Sequence, residues 1–472
     1  MCLGKYEKLI SNTAIFAIGS FSSKLLVFFM MSYYTRMLSP AELGVAERIT
    51  TISNLLMPFV MLSINEAIIR FAMDKSVSRS QVFSIGIKTV LIGFIVFCVF
   101  VPVMLFIDML APYTAIIYLY VLMGMLKAVT AQFIRSMELV RLYAFDGFFA
   151  TFTTIGFNIL FLSVFGWSTV GFVLSIVASN ILSIVFLFVT ARLWRYIDLK
   201  NINKRIRREM LRYSIPLIPT TMFWWIINAS DRYMVSFFCG DAPTGILAVA
   251  HKIPSLLTIV SAIFYQAWQL SAVSESGHGE STTRFYNQIF DYYSTMLFVA
   301  ASAIIVLIRP ITGILYAPAY FESWEYVPFL VIAEVFSSLV TFLGSFYMVS
   351  KRNATVPVAI FIGAIANIGL NFLLIPQYGV MGAVFATFVS YLLAFIIRSV
   401  DVLRVVKLDL RWLPISCSVL LLMIQGALLI NDVEHMWLVQ IAMFCAMLLL
   451  NFRPVMRLFF ALLDKVSGII SR

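Results

Sequence analysis

NILFLSVFGWSTVGFVLSIVASNIL, residues 158–182, contains no charged side chain. An α-helix rises about 1.5 Å per residue and a bilayer's hydrocarbon core is about 30 Å thick, so roughly 20 apolar residues make one crossing. The quoted stretch is the end of one crossing, a short turn at FGWST and the start of the next. Working outward, apolar runs of spanning length recur at 10–34, 46–70, 83–107, 113–134, 146–166 and 168–191. After a basic interval they resume at 213–239, 247–271, 286–308, 327–349, 355–375, 380–403, 412–430 and 436–458. The chain therefore reads as an all-α polytopic membrane protein with about 14 transmembrane helices. Composition agrees: of 472 residues 61% are hydrophobic and 12% charged, with a mean hydropathy of +0.96, which excludes a water-soluble fold.

The net charge of +11 follows the loops. Lys5 and Lys8, Arg70 to Arg79, Arg135 and Arg141, Arg192 to Arg212, Arg284, Lys351 and Arg352, Arg404 to Arg411, and Arg453 to Arg472 fall on every second connection. The opposite connections, among them SPAELG, DMLAPYT and GDAPTG, carry little positive charge. Positively charged loops stay on the cytoplasmic side, so both termini are expected inside and the span count is even. No basic patch interleaves with aromatics in a polar domain, so nucleic acid is not an expected partner. The five cysteines have no paired or metal-ligand spacing and read as packing residues; no metal is expected. The first apolar run lacks a small-residue cleavage site and reads as a retained span.

An internal repeat divides the chain. NILFLSVFGWSTVGFVLSIVASNIL lies over NFLLIPQYGVMGAVFATFVSYLL, residues 371–393, with Asn158 on Asn371 and Gly166 on Gly379. A two-residue shift then places Gly171 on Gly382 and Ser179 on Ser390. SPAELGVAERI from Ser39 likewise lies over GDAPTGILAVAHKI from Gly240. The offset is about 200 residues, or six spans, which preserves orientation: a parallel repeat. The expected organisation is an N-lobe at 1–195 (spans 1–6), a basic cytoplasmic connector at 196–212, a C-lobe at 213–405 (spans 7–12) and a C-terminal helix pair at 406–472 (spans 13–14). The connector reads as an amphipathic segment against anionic headgroups or as a stop-transfer anchor.

Charges at lipid depth cost roughly 2.5–3.5 kcal/mol each on insertion scales, so those retained face a cavity or a partner. Lys24, Arg48, Arg232 and Lys252 lie in the first two spans of each lobe, and Glu47 and Asp231 adjoin two of them. Helical spacing gathers polar residues into stripes: Asn12, Ser20, Ser23 and Lys24; Glu47, Thr51 and Asn54; Thr221, Trp224, Asn228, Asp231 and Arg232; and Lys252, Ser255, Gln266 and Gln269. Such stripes line a water-filled path or fasten helices together, and the hydroxyls fit both readings. Lys127, Glu334, Asp291 and Arg398 are weaker candidates, while Glu66 and Arg70 fit a structural i, i+4 pair. Pro216 and Pro219 mark a start or bend of span 7.

RYSIPLIPTTMFWWIINASDRYMVSFFCG, residues 212–240, with TGILAVAHKIPSLL after it, resembles the seventh and eighth helices of the polysaccharide transport family, which includes bacterial O-antigen and capsule flippases. LSPAELG and IPQYGVMGA look like that family's connectors. The family shares a superfamily with lipid II flippases and multidrug and toxin extrusion transporters. The resemblance implies movement of a polyprenyl-diphosphate-linked oligosaccharide, a sugar repeat unit on its lipid carrier, from the cytoplasmic to the outer leaflet of the bacterial inner membrane. It implies alternating access by two rocking lobes, with membrane lipids and polysaccharide polymerase machinery as partners, a monomer as default, and no enzyme activity. Lys24, Arg48, Arg232 and Lys252 are then expected to attract the diphosphate, and Asn228, Trp224 and Gln266 to contact sugar. Glu47, Asp231 and Glu334 are expected as charge partners or ion-coupling groups; no cofactor is expected, and coupling to an Na⁺ or H⁺ gradient stays open. The alternatives are an Na⁺- or H⁺-coupled exporter of small cationic drugs and, behind it, a membrane polymerase or glycosyltransferase. That last class needs acid and base residues on an ordered outer loop, and the outer connections are short.

Overall fold

The computed structural model describes residues 26–74, 76–261, 264, 280–350, 356–404, 408, 410–431 and 435–456. Among the described residues the chain is helical and without strands. That is the expected all-α solution, because a helix bonds its own backbone groups where lipid offers no partner.

The first helix, α1, covers 26–37. It is followed by α2 (Pro40–Val60), α3 (Ile64–Ala72), α4 (Arg79–Cys98), α5 (Val101–Leu105), α6 (Thr114–Ser136), α7 (Val140–Asn158) and α8 (Ser168–Thr190). The connector forms α9 (Lys204–Ser214), and α10 (Ile218–Cys239) and α11 (Asp241–Ala250) follow. Next comes α12 at 255–261. The remainder are α13 (Glu280–Leu315), α14 (Val327–Ser350), α15 (Val356–Leu403), α16 (Trp412–Ile430) and α17 (Met436–Leu450).

Local chemistry sets the boundaries. α2 begins six residues before the expected span because Ser39 and Glu42 form a capping box: the Ser39 hydroxyl accepts the Glu42 N–H, and a Glu42 carboxylate oxygen accepts the Ser39 N–H. The run 46–70 is not one straight helix. α2 and α3 meet at 54° across Met61–Ser63. Leu62 sits in the left-handed region (φ 52°) and its N–H donates to the Phe59 carbonyl at 3.1 Å. The Ser63 N–H reaches back to Pro58 at 2.9 Å, completing a Schellman stop with leucine where glycine is usual. Span 7 opens as expected at SIPLIP, with a short 3₁₀ turn at Ile215–Leu217 before α10.

α7 runs on into a π-helical turn at Ile159–Val164, and Gly166 (φ 66°) reverses the chain into α8. The repeat partner of Gly166, Gly379 (φ 58°), breaks α15 at the corresponding point, so α15 supplies both expected spans 11 and 12. Asn158 and Asn371 are both fully buried.

Packing divides the chain into two units, up to Gly245 and from Ile246 onward. This division differs from the repeat boundary because α10 lies against α2 and so groups with the N-terminal helices. In the first unit α6 packs on α8 and α3, and the start of α2 meets the start of α11 backbone to backbone. A Cβ on Gly44 would collide with the carbonyl of Asp241, and a Cβ on Gly245 with that of Pro40. In the second unit α14 packs along α15, and α13 carries α16 and α17.

Candidate functional site

The Glu47–Arg48 and Asp231–Arg232 pairs meet where α2 packs on α10. Arg232 Nη1 lies 3.1 Å from Glu47 Oε2, with side-chain exposures of 20% and 10%. Arg48, 5% exposed in its side chain, pairs with Asp241 at the head of α11. It also donates to Ser236 Oγ at 3.2 Å and to the Met109 carbonyl at 3.3 Å. The Ser236 hydroxyl in turn donates to Asp241 at 2.9 Å. Asp231 is buried, and its carboxylate accepts the Arg232 backbone N–H at 2.8 Å. One turn further along α2, Trp225 Nε1 donates to the Thr51 carbonyl at 3.2 Å; then Tyr120 of α6 donates to Asn54 at 3.4 Å.

Glu47 and Thr51 of the expected stripe therefore serve the α2–α10 contact, while Asn54 is exposed and meets Tyr120 of α6. Two arginines here meet three carboxylates, so the described side chains of the cluster carry one net negative charge; the expected excess of positive charge included Lys24, which lies outside the described residues. Its guanidinium groups are not saturated: Nε of Arg48 and Nε of Arg232 are buried without a hydrogen-bond partner. A planar guanidinium offers five donors in a fork that matches carboxylate or phosphate oxygens.

Lys24 and Gln266 lie outside the described residues, as do the side chains of Trp224 and Asn228, both borne on α10. Lys252 occupies the turn between α11 and α12 in the second unit. Glu334 of α14, in the same unit, accepts from Thr258 Oγ1 at 2.9 Å. Glu66 and Arg70 do not close their expected pair. Glu66 accepts from Asn65 Nδ2 at 2.8 Å, and Arg70 stacks 4.9 Å over the Tyr213 ring. Among the described residues no cluster of histidine, cysteine and carboxylate side chains could hold a metal.

Sequence reading missed Asp241, whose signal was its place as the lone acid of GDAPTG. It also missed the partners of Lys127. That side chain pairs with Asp146 of α7 and donates to Ser183 of α8, and Ser183 donates to the same carboxylate.

Comparison with solved structures shows the fold. The lipid II flippase MurJ in an inward closed conformation matches 95% of this chain and 100% of its own, with TM-score 0.71 and 16% identity. An inward-facing multidrug resistance MATE transporter of the MOP superfamily matches 82% of this chain and 98% of its own, with TM-score 0.60 and 12% identity. An outward-facing one matches 86% and 96%, with TM-score 0.57 and 13% identity. A search of curated protein sequences returns no significant match. The model of the polysaccharide biosynthesis protein family matches residues 9–269, more than half of the 472, and so the chain belongs to the polysaccharide biosynthesis protein family.

Proposed function

We propose that the protein is a flippase that carries a polyprenyl-diphosphate-linked oligosaccharide from the cytoplasmic to the outer leaflet for cell-surface polysaccharide synthesis. The observation that carries this reading is the α2–α10 network, in which two arginines set between apolar helices are held by carboxylates. A diphosphate presents the same oxygen geometry to a guanidinium with more charge, so it can replace Glu47 or Asp241 as the partner. Carboxylates closing the network without substrate, and phosphate opening it, would couple loading to movement of α10 against α2. Lys24, one helix earlier in the sequence, supplies a further cation on this reading. Membership of the family and the MurJ-like fold support transport of a lipid-linked sugar, and the lobes at 1–195 and 213–405 are the bodies proposed to rock.

The test is leaflet translocation of a labelled polyprenyl-diphosphate oligosaccharide by the purified protein in vesicles. The variant is Glu47→Gln/Arg232→Gln, which removes both charges of one pair together. Normal folding with transport reduced at least tenfold is expected; undiminished transport would sink the assignment. Lys24→Gln/Arg232→Gln is expected to abolish transport while folded protein is retained.

A second reading has one observation in its favour. The three carboxylates around Arg48 and Arg232 also suit an Na⁺- or H⁺-coupled exporter of small cations, and MATE transporters share the fold. Efflux of a cationic dye under an imposed gradient, without movement of lipid-linked sugar, would select it.

A further inference from the structure

Two cavities of the first unit meet at Arg207 and Leu211 of α9. One is an apolar groove of about 550 Å³ between α2 and α4, running from Leu56 and Thr89 past Val96 to Met104 and Ile107. The other is a basin of about 780 Å³ walled by Lys204, Arg207, Arg208 and Arg212. The spacing of these cations, i, i+3, i+4 and i+8, puts them on one face of α9. Glu209, the lone acid of α9, is engaged by Arg205 at 3.0 Å, so among the described residues no carboxylate meets the four basin cations.

We propose that groove and basin together hold a polyprenyl diphosphate, its isoprenoid chain along α4 and its diphosphate among the α9 cations. This deepens the flippase reading, on which it rests, by placing a docking site for the carrier lipid of that substrate on the first unit, apart from the α2–α10 network. Two quantities favour this occupant over a membrane phospholipid. From Thr89 to Phe97 the groove follows α4 for eight residues, about 12 Å, and it then continues through Phe100 to Ile107. The length along α4 alone approaches one leaflet's share of the hydrocarbon core, about 15 Å, the depth an acyl chain reaches; a polyprenyl chain is long enough to fill the continuation at Phe100 to Ile107 as well. Second, four cations match the multiple charge of a diphosphate, whereas a phosphodiester headgroup carries one charge.

The experiment uses the full-length protein in phosphatidylcholine nanodiscs with a photoreactive polyprenyl diphosphate, the labelled peptides being mapped by mass spectrometry. Labelling is expected within 89–107, competed by unlabelled polyprenyl diphosphate and not by equimolar phosphatidylglycerol. Arg207→Gln/Arg208→Gln, which strips the basin, should lower labelling at least tenfold. Val96→Trp, which fills the groove from an exposed position, should do the same with an unchanged gel-filtration profile. Equal competition by phosphatidylglycerol, or labelling indifferent to both variants, overturns the site. Leaflet translocation by the wild type, measured in parallel, separates the two inferences. Transfer with 89–107 unlabelled refutes the site and leaves the flippase reading standing. Labelling without transfer keeps the lipid site and refutes the flippase reading.

Discussion

Replacing Lys127 with Met tests how a largely buried ion pair between apolar helices holds the first unit together. The Asp146 side chain is 3% exposed and that of Lys127 17%, and Ser183 binds both. These three residues belong to α6, α7 and α8, so the network joins three helices. Removing the ammonium leaves a buried carboxylate with one hydroxyl donor, a loss of about 3–5 kcal/mol for a broken buried pair. Asp146→Leu leaves the ammonium instead, and its partial exposure brings the expected cost to the lower end of that range. Interhelical hydrogen bonds between neutral groups in membranes average only about 0.6 kcal/mol, so a larger coupling identifies the ion pair as its source. The double variant Lys127→Met/Asp146→Leu leaves no unpaired charge and should lie within about 1.5 kcal/mol of the wild type. The assay is equilibrium unfolding of all four proteins in mixed micelles, read as a double-mutant cycle; single losses of about 3 kcal/mol or more each, against about 1.5 at most for the double variant, make the expected coupling larger than about 4 kcal/mol. Single effects that add within about 0.5 kcal/mol would refute the reasoning, since independent sites behave so.

Other outcomes follow from single contacts. Gly44→Ala or Gly245→Ala inserts a methyl against a backbone carbonyl that no rotamer can avoid, and each should lower the yield of folded protein on gel filtration. Asp198, in the connector, is held below the usual carboxylate range by the Asn201 side chain and backbone N–H. A depressed folded value means that its contribution is present above the unfolded pKa of about 3.9 and lost as pH falls through the folded one. Hydrogen exchange at residues 198–201 should accelerate at that acidic end, and Asp198→Asn should abolish the dependence. Arg309 lies 4.1 Å over the Trp324 ring and donates to the Leu429 carbonyl near the end of α16 at 3.3 Å. Arg309→Met should cost about 0.5–2 kcal/mol for the lost cation–π contact, measured by the thermal midpoint and the tryptophan emission.

Hydropathy made the helices legible because the bilayer fixes both their length and their apolarity. The match of Gly166 with Gly379 was legible for a different reason: both take positive φ, a demand on residue type that survives when apolar positions drift. The break after α2 was hidden because its left-handed residues are Leu62 and Ser63 and not glycines. The capping box at Ser39 was present in the letters SPAE and went unused. At the candidate site, Arg48, Arg232, Glu47 and Asp231 were visible as charges out of place in apolar runs. Their cross-pairing was not, since nothing local says that Arg232 meets Glu47 and Arg48 meets Asp241, 193 residues away. Asp146 escaped notice for the same reason: a charge near a helix end looks solvated until its partner on another helix is known.

The glycine contact at the heads of α2 and α11 has a symmetry. The repeat alignment pairs Pro40 with Asp241 and Gly44 with Gly245, and the two collisions run from Gly44 to Asp241 and from Gly245 to Pro40. Exchanging the two segments therefore maps the contact onto itself, the property of an isologous interface. Such an interface is self-complementary and closes at two members, each lending its backbone to the gap in the other. This corner of the protein is thus built like the centre of a homodimer whose halves have been joined into one chain, and a substitution at either glycine has its symmetry equivalent at the other.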